Sequence, residues 1–325
     1  MLEAPLLVVL AAVALADTCV YGAQEEVARV AGVPSESSGL AAARARPGWW
    51  YTHDDRGGSP ELYAFDTAGN VGPVHRVVGA ESEDWEDLAA GPCPDGGDCL
   101  YIADIGDNDA ERDTITVYVV PEPQAAGEPV DVLETWSLVY PGPARDAETL
   151  LVHPCTAEVF LVTRPLPGEP AEVFRVPAGG GSLESIRTLT LSDSATSGDF
   201  DADGDRLVIR GEDAIWEWRV DPADPEAAFF GSPQALVAPS LEDAEAITYG
   251  PDGALWSTAE GLPMPLVRLP CTESTPAEHT CDPPVARDRG DDKSGCGCAS
   301  GGVSGGWLLI LAGLAARRRG IRAGR

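Results

Sequence analysis

The chain has 325 residues and carries 53 acidic residues against 22 basic ones, a net charge of −31 at pH 7. The five basic residues after position 316 meet no acidic residue there, so the rest of the chain holds 17 basic against 53 acidic residues, a net charge of −36. A body this acidic repels nucleic acid and anionic membranes and attracts cations. Nucleic-acid binding is therefore excluded.

An apolar run at residues 6–16 lies near the start of the chain and ends in Ala14-Leu15-Ala16, a pattern typical of signal-peptide cleavage sites. The run is too short to cross a bilayer. The beginning, Met1-Leu2-Glu3, lacks the positive charge that signal peptides usually carry. We nevertheless predict that residues 1–16 are a secretory signal peptide.

A motif in which an acidic or polar residue precedes an apolar strand recurs five times. The aligned positions are spaced 48, 62, 51 and 46 residues apart: Ser38, Glu86, Glu148, Asp199 and Glu245. A period near 50 residues fits a four-stranded unit, and such sheets bury both faces when they are arranged radially. The sequence therefore predicts an all-β fold, a β-propeller of five blades. Six blades remain possible if the 62-residue interval, or an end of the chain, contains a blade without the motif.

Two short strand-like runs precede the first motif, at residues 18–21 and 27–30. These runs lie just ahead of a motif, in the place that the outermost strand of a blade occupies ahead of a later motif. We expect both to be outer strands of the last blade, closing the ring against residues 254–270. Closure of this kind removes the free sheet edges of a propeller.

Two predicted disulfides join near neighbours and agree with export, because disulfides form in oxidising compartments. Cys93 and Cys99 enclose a loop rich in Pro, Gly and Asp, and Cys271 and Cys281 follow the last predicted strand. Two further cysteines could form a longer closure: Cys19 and Cys155.

The motif residues are candidate metal ligands. If the motif strands are innermost, their carboxylates converge on the central channel, where they repel one another unless a cation neutralises them. Calcium accepts six to eight hard oxygen ligands in flexible geometry, so we predict a calcium ion in the channel. The predicted ligands are Ser38, Glu86, Glu148, Asp199 and Glu245. The alternative is that these acids end strands and bind turn amides.

Polar residues also follow the equivalent strand of each repeat and are expected to ring one mouth of the channel: His53-Asp54-Asp55, Asp104 with residues 105–109, Thr163-Arg164, Arg210 and Glu260. Such residues beside a metal could bind or hydrolyse a phosphorylated ligand. The catalytic candidates for a hydrolase are His53, Asp104 and Arg164.

The segment at residues 199–204 has the opening of an EF-hand calcium loop. Arg210 stands where that loop needs a bidentate Glu. We therefore expect a hairpin turn at Asp203-Gly204 instead.

At family level, the recurrent D-x-E-x-[LI] entry and the apolar strand after it resemble the secreted propellers of the phytase-like, SdiA-regulated and TolB-like families. The resemblance covers roughly residues 20–280 and implies a propeller fold. The acidic ring is also similar to that of calcium-activated nucleotidases, which are five-bladed propellers with a central calcium. That similarity implies the metal alone, since fold does not imply function.

The C-terminal region has a charged linker, then Gly295-Cys296-Gly297-Cys298, an apolar run at residues 307–316 and Arg317-Arg318-Arg319. It closely resembles the MYXO-CTERM sorting signal of myxobacteria and related bacteria. The resemblance implies a sorting peptidase as partner, processing at Cys296 or Cys298, and retention at the outer cell surface. Membrane contact is expected through this segment only.

These signals divide the chain into a signal peptide (1–16), a propeller (17–284), a linker with the sorting motif (285–302) and a hydrophobic segment with an Arg-rich end (303–325). The favoured function is an exported, cell-surface propeller that holds calcium and binds an unknown surface ligand or protein. The alternative is a calcium-dependent phosphoester or ester hydrolase acting at the mouth of the channel.

Overall fold

Short β-branched and aromatic runs separated by Gly-, Pro- and Asp-containing turns form antiparallel strands throughout the computed structural model, which describes residues 19–124, 127–165, 169–273 and Cys281. All of these belong to the first of two compact units, Met1–Arg287. The second unit, Asp288–Arg325, lies outside the described residues. The one helical segment of the described part is a 3-10 helix, Pro225–Phe230.

Five blades of four principal antiparallel strands make up the fold, and we number the strands of each blade from the channel outward. The first strands of blades 1 to 5 are Ser37–Ala42, Trp85–Pro92, Ala147–Val152, Ser197–Phe200 and Ala244–Tyr249. The second strands are Trp49–Asp54, Asp98–Asp104, Val159–Thr163, Arg206–Arg210 and Leu255–Ala259. The third strands are Glu61–Asp66, Ile115–Pro121, Ala171–Val176, Ile215–Arg219 and Met264–Leu269. The fourth strands are Val71–Val78, Glu134–Val139, Glu184–Leu189, Gln234–Leu236 and Glu25–Val30.

The first strand of each blade contacts the first strands of both neighbouring blades, and blade 5 contacts blade 1, so the five first strands surround a central channel. The prediction of a five-bladed propeller is confirmed. The 62-residue interval contains blade 2 alone, lengthened by the hairpin at Cys93 and by the segment between its second and third strands.

Short parallel strands link successive blades. Val130–Asp131, which follows blade 2, lies parallel to the fourth strand of blade 1. Gly181–Ser182, within blade 3, lies parallel to the fourth strand of blade 2. Blades 1 and 2 thereby each gain a fifth strand that covers the outer edge of the sheet.

Apolar side chains pack in five clusters, one at each interface between neighbouring blades. Between blades 5 and 1, for example, Trp50 and Trp256 have ring centroids 4.6 Å apart. Because neighbouring blades cover both faces of each sheet, several strands are buried along their whole length, such as Val159–Thr163. This explains why their sequences are apolar without strict alternation.

The ring closes through the N-terminal part of the chain. Glu25–Val30 pairs antiparallel with Met264–Leu269 and completes blade 5, as predicted. The expectation that residues 18–21 also belong to this blade is wrong, because Val20–Tyr21 pairs with Cys271–Glu273 in a separate two-stranded sheet.

Three disulfides connect described cysteines. Cys93–Cys99 was predicted and is confirmed. The predicted Cys271–Cys281 pair and the possible Cys19–Cys155 pair are wrong, because the structure joins Cys19 to Cys271 and Cys155 to Cys281. The strand pairing of the N-terminal segment brings Cys19 beside Cys271, a contact across 252 residues that spacing along the chain does not reveal.

The predicted signal peptide, sorting motif and C-terminal apolar segment lie outside the described residues. Within the described part, no helix is long and apolar enough to span a membrane.

Candidate metal centre

Four of the five first strands contain a β-bulge near their beginning. The register with the second strand shifts between Ser37 and Leu40, Trp85 and Asp87, Ala147 and Thr149, and Ala244 and Ile247. A bulge sets an extra residue against the partner strand and re-aims its side chain. The residues within these shifts include Ser38, Glu86, Glu148 and Glu245. Blade 4 has no shift at this point.

These four residues line one cavity of about 280 Å³ at one end of the channel. The other lining residues come from the loops around it: Asp55, Asn108, Arg164, Glu212, Asp243 and Glu260. Seven carboxylates thus face the cavity and Arg164 is the one basic residue among its described lining. Such a cavity attracts cations.

Among the described residues, three carboxylates lie close enough together to hold a metal ion, and we call them the three-carboxylate cluster: Asp55, Asp84 and Glu86. One ligand oxygen from each lies within 4.8 Å of the others. Asp84 and Glu86 are buried, with 3% and 6% exposure. Buried Oδ1 atoms of Asp55 and Asp84 have no hydrogen-bond partner among the described residues, although Asp84 Oδ1 lies 4.0 Å from Arg56 Nε.

The backbone at Gly106 closes this cluster on one side. A Cβ atom at this position would overlap a carboxylate oxygen of Glu86 and lie 2.7 Å from the carboxyl group of Asp84. The N–H of Gly106 donates to the carbonyl oxygen of Asp84, 3.1 Å away. Glycine therefore allows the loop after blade 2's second strand to approach the two acids.

Proton affinity in the cluster is high. Burial and, to a smaller extent, the neighbouring Asp55 raise the pKa of Asp84 to about 6 against the opposing effect of Arg56 and Arg112. Burial also raises the pKa of Glu86 well above its usual range, with added repulsion from Glu148 and the cluster. Oxygen ligands held this close without a cation repel one another, so a bound cation would lower both pKa values.

The opposite wall of the cavity is partly neutralised. Arg164 forms an ion pair with Glu148 and a second, at 3.3 Å, with Glu212. The other carboxylate oxygen of Glu148, Oε2, is buried and has no hydrogen-bond partner in the part of the chain that the structure describes. Burial and the neighbouring Glu260 raise the pKa of Glu245 to about 7. A cation entering the cavity is therefore favoured on the side away from the Arg164 guanidinium.

Asp87, the residue after Glu86, is fully buried and joins three blades at the channel. Its carboxylate accepts the backbone N–H of Leu150 in blade 3 (2.9 Å), the N–H of Gly198 in blade 4 (3.4 Å) and the hydroxyl of Ser197 (3.0 Å). It also accepts the N–H of Leu88 at 2.9 Å. Burial raises the pKa of Asp87 to about 8, and these hydrogen bonds offset only part of the rise.

Asp199, the fifth predicted calcium ligand, does not line this cavity. In blade 4, which lacks the bulge, Asp199 pairs with Val208 at the level where Ala89 pairs with Tyr101 in blade 2. It lines a second cavity instead. Thr196 takes the equivalent place: its hydroxyl donates to the Glu245 carbonyl oxygen (2.9 Å), as the Ser38 hydroxyl donates to that of Glu86 (2.5 Å).

The three catalytic candidates are not brought together around the cavity. His53 is fully buried against Trp85, and its Nδ1–H donates to the Asp54 carbonyl oxygen at 2.9 Å. Burial lowers the pKa of His53 to about 4, so the ring is neutral near pH 7. Asp104 is buried in an ion pair with Arg112 at 2.9 Å. Of the three, Arg164 alone is among the described lining residues.

Glu260 and Arg210 were both expected at the mouth of the channel, and a hairpin turn was expected at Asp203-Gly204. Glu260 lines the cavity as expected, whereas Arg210 is buried and donates to Ser257 and to backbone carbonyl oxygens. The hairpin turn is present: Gly204, at φ +71°, donates its N–H to the Asp201 carbonyl oxygen at 3.0 Å.

Asp55 was expected at the mouth of the channel and lines the cavity, but neither Asp55 nor Asp84 was predicted as a metal ligand, although the sequence contained signals for both. Asp55 immediately follows the second strand of blade 1, and Asp84 lies two residues before Glu86 in the clearest copy of the motif. Asp87 stands in the same acidic run. What the sequence could not show is which of these adjacent acids point to the cavity and which to the middle of the channel, because the bulge decides that.

No protein-family model and no curated protein matches the chain. Two solved structures of glucose dehydrogenase are each 12% identical to it, cover 76% of this chain and 99% of their own, and have TM-scores of 0.43 and 0.44. Regucalcin from Agrobacterium tumefaciens strain C58, a calcium-binding protein, is 12% identical, with 71% of this chain and 72% of its own covered and a TM-score of 0.41. We draw no functional argument from similarities this weak.

Proposed function

We propose that this protein is an exported, cell-surface propeller that binds a calcium ion at the three-carboxylate cluster and serves as a binding module for a ligand or partner protein. The observation that carries the metal assignment is the approach of the Asp55, Asp84 and Glu86 oxygens within 4.8 Å of one another. Calcium suits such a site because it accepts carboxylates in one- or two-oxygen fashion and tolerates irregular geometry. This set replaces the predicted ring of five ligands and retains only Glu86 from it.

The residues of the cluster come from two blades, which defines what the ion does. Asp55 follows the second strand of blade 1, and Asp84 and Glu86 lie at the start of blade 2. A cation between them replaces repulsion across the blade interface with attraction. The ion therefore stabilises the packing of blade 1 against blade 2, and the ring around it presents the ligand-binding surface.

Thermal unfolding of the full chain in calcium and in chelator tests the metal assignment. A ligand that binds only the folded state raises the free energy of unfolding by about 2.7 kcal/mol at 100 times its Kd. We expect calcium to raise the Tm, and the double variant Asp84→Asn/Glu86→Gln to remove the rise. The matched control is Asp131→Asn, an exposed carboxylate outside the cavity.

Two results would contradict the assignment. Either the wild type shows no calcium-dependent rise in Tm, or the double variant responds to calcium as strongly as Asp131→Asn does. Isothermal titration with calcium gives the stoichiometry independently, and one ion per chain is the expected value.

The hydrolase alternative receives less support from the geometry. Arg164 is committed to two carboxylates, His53 is buried away from the cavity and Asp104 is paired with Arg112. No nucleophile and base within hydrogen-bonding distance line the cavity among the described residues. Calcium-dependent turnover of a phosphoester substrate, lost in Asp84→Asn/Glu86→Gln, would reverse this preference.

Export is supported by the apolar run at residues 6–16, by the disulfide pairing of all six described cysteines, and by the tail at residues 295–319. In this proposal a sorting peptidase processes the tail at Cys296 or Cys298 and leaves the propeller at the outer cell surface. Cell fractionation of the wild type and of Cys296→Ser/Cys298→Ser checks it: recovery of both proteins in the cytoplasm with reduced cysteines would contradict export.

A further inference from the structure

A second cavity of about 290 Å³ lies at the other end of the channel. Its lining includes the last residues of three first strands, Ala42, Phe200 and Tyr249, and Ala90 near the end of a fourth. Ser38, Glu86 and Glu245, near the beginnings of three of these strands, line the acidic cavity instead. Asp87 is fully buried between the two levels, so the cavities are separate sites.

The second cavity differs from the first in chemistry. Its wall is mainly apolar, formed by alanine, proline, phenylalanine and tyrosine side chains, and it carries one basic and one acidic residue, Arg44 and Asp199. Ligand sites are typically apolar concave surfaces with a few polar groups that fix orientation, and the volume of about 290 Å³ is just below their usual range of about 300–1,000 Å³.

Asp199 is held in one orientation with one oxygen free. Its Oδ2 accepts the Thr248 hydroxyl at 2.6 Å and the Tyr249 N–H at 3.0 Å. No hydrogen bond among the described residues involves Oδ1, and the residue is partly exposed. The carboxylate therefore offers a positioned oxygen to a donor in the cavity.

Arg44 is held in place by hydrogen bonds from both its backbone and its guanidinium group. Its backbone N–H donates to the buried carboxylate of Glu122 at 2.9 Å, and its Nη2 donates to the Ala90 carbonyl oxygen at 2.9 Å. Asp98 lies 3.9 Å from Nη1. The guanidinium retains further N–H groups, because no hydrogen bond within the described part of the chain involves its Nε.

Arg44 and Asp199 do not join each other. Their charges are close enough for Arg44 to lower the pKa of Asp199, which burial raises to about 6. Yet no ion pair within 4.0 Å links them in the described structure, whereas Arg44 is paired with Asp98. Two opposite charges held apart on an apolar wall are complementary to a molecule that carries both charges itself.

We propose that this cavity binds a small zwitterion, an amino acid with an uncharged side chain, with its carboxylate on Arg44 and its ammonium group on Asp199. The apolar wall then contacts the side chain of the ligand. The size of the cavity restricts the ligand to a single amino acid with a short side chain. This site is independent of the calcium proposal.

Isothermal titration of the full chain with L-alanine and L-leucine tests the proposal, with propionate and propylamine as ligands that carry one charge each. We expect saturable binding of an amino acid and at least about tenfold weaker binding of both single-charge ligands, since a hydrogen bond to a charged group contributes about 1.5–3 kcal/mol. Asp199→Asn and Arg44→Gln should each weaken the binding of the amino acid by a similar factor. The control variants Arg76→Gln and Asp131→Asn change exposed residues and should leave the affinity for the amino acid unchanged.

The calcium-site variant Asp84→Asn/Glu86→Gln should bind the amino acid as the wild type does, so failure of either proposal is recognised separately. If neither amino acid binds at about 10 mM, or if propylamine binds as well as alanine, the zwitterion site is wrong. Equal binding by wild type and folded Asp199→Asn, judged by its circular dichroism, would also overturn it.

Discussion

Three carboxyl groups near the channel, the buried Asp84 and Asp87 and the half-buried Glu245, make stability depend on pH at the scale of single residues. Burial raises the pKa of Asp87 to about 8, of Glu245 to about 7 and of Asp84 to about 6. Each value exceeds the unfolded one of about 4. The protonated carboxyl groups therefore contribute their full stabilisation of the folded state below about pH 4. That contribution is lost as the pH rises through their pKa values in the folded protein.

We expect the calcium-free protein to lose thermal stability between pH 6.5 and pH 8.5, and calorimetry in chelator measures it. Buried His53, whose pKa is lowered to about 4, acts in the opposite direction only below about pH 6.5. The chosen window therefore isolates the carboxyl groups. A Tm that rises across this window would show that the groups are ionised in the folded protein.

Asp87 is expected to be the costliest single carboxylate to remove. Asp87→Ala leaves the N–H groups of Leu150 and Gly198 and the hydroxyl of Ser197 without their acceptor. An unsatisfied buried polar group costs about 1–3 kcal/mol, so we expect a loss of about 3 kcal/mol in the free energy of unfolding. Denaturant titration measures it, with Asp131→Asn as the unaffected control. A loss below about 0.5 kcal/mol, as for surface changes, would contradict the role assigned to Asp87.

At the scale of strands and bulges, the sequence predicted the repeat but not the register. The spacing of acidic residues and apolar runs identifies five units, because every blade needs a first strand that is buried against its neighbours. It does not distinguish a first strand with a bulge from one without. Asp199 was consequently aligned with Glu86, although Thr196 occupies the corresponding place. The predicted ligand set and the proposed one therefore lie in the same region of the channel and share only Glu86.

The closing strands give a prediction about disulfides. Cys19–Cys271 spans 252 residues, whereas Cys93–Cys99 spans 6. In the chain-entropy account a disulfide that closes a longer loop stabilises more, with about 5 kcal/mol expected for the long loop and about 2 kcal/mol for the short one. Cys19→Ser/Cys271→Ser should therefore lower the free energy of unfolding more than Cys93→Ser/Cys99→Ser. Equal losses would show that loop length does not govern the effect here.

For the whole molecule, the net charge of −31 predicts a dependence on ionic strength. Self-repulsion of a strongly acidic chain destabilises the compact state, and salt screens it, with a Debye length of about 10 Å at 0.1 M and 3 Å at 1 M. We expect potassium chloride to raise the Tm in the presence of chelator. A falling Tm would mean that the 15 ion pairs among the described residues outweigh the repulsion.

Fold class was predictable at this scale, whereas the pairing of the cysteines other than Cys93 and Cys99 was not. A radial arrangement follows from the repeat, and closure of blade 5 by Glu25–Val30 follows from the position of that run ahead of the first motif. The partners Cys19–Cys271 and Cys155–Cys281 depend on how the ends of the chain cross the finished ring. No local pattern encodes such a crossing.

The Cys155–Cys281 disulfide also determines where a mechanical load enters the protein. Cys155 lies in the loop between the first two strands of blade 3, Ala147–Val152 and Val159–Thr163. Tension applied to the chain beyond Cys281 passes through a covalent bond into blade 3. A second covalent path runs along the backbone to the two-stranded sheet of Val20–Tyr21 with Cys271–Glu273, which the Cys19–Cys271 disulfide also joins. A load on this end of the chain would accordingly be shared between the interior of the ring and the strands at its closure.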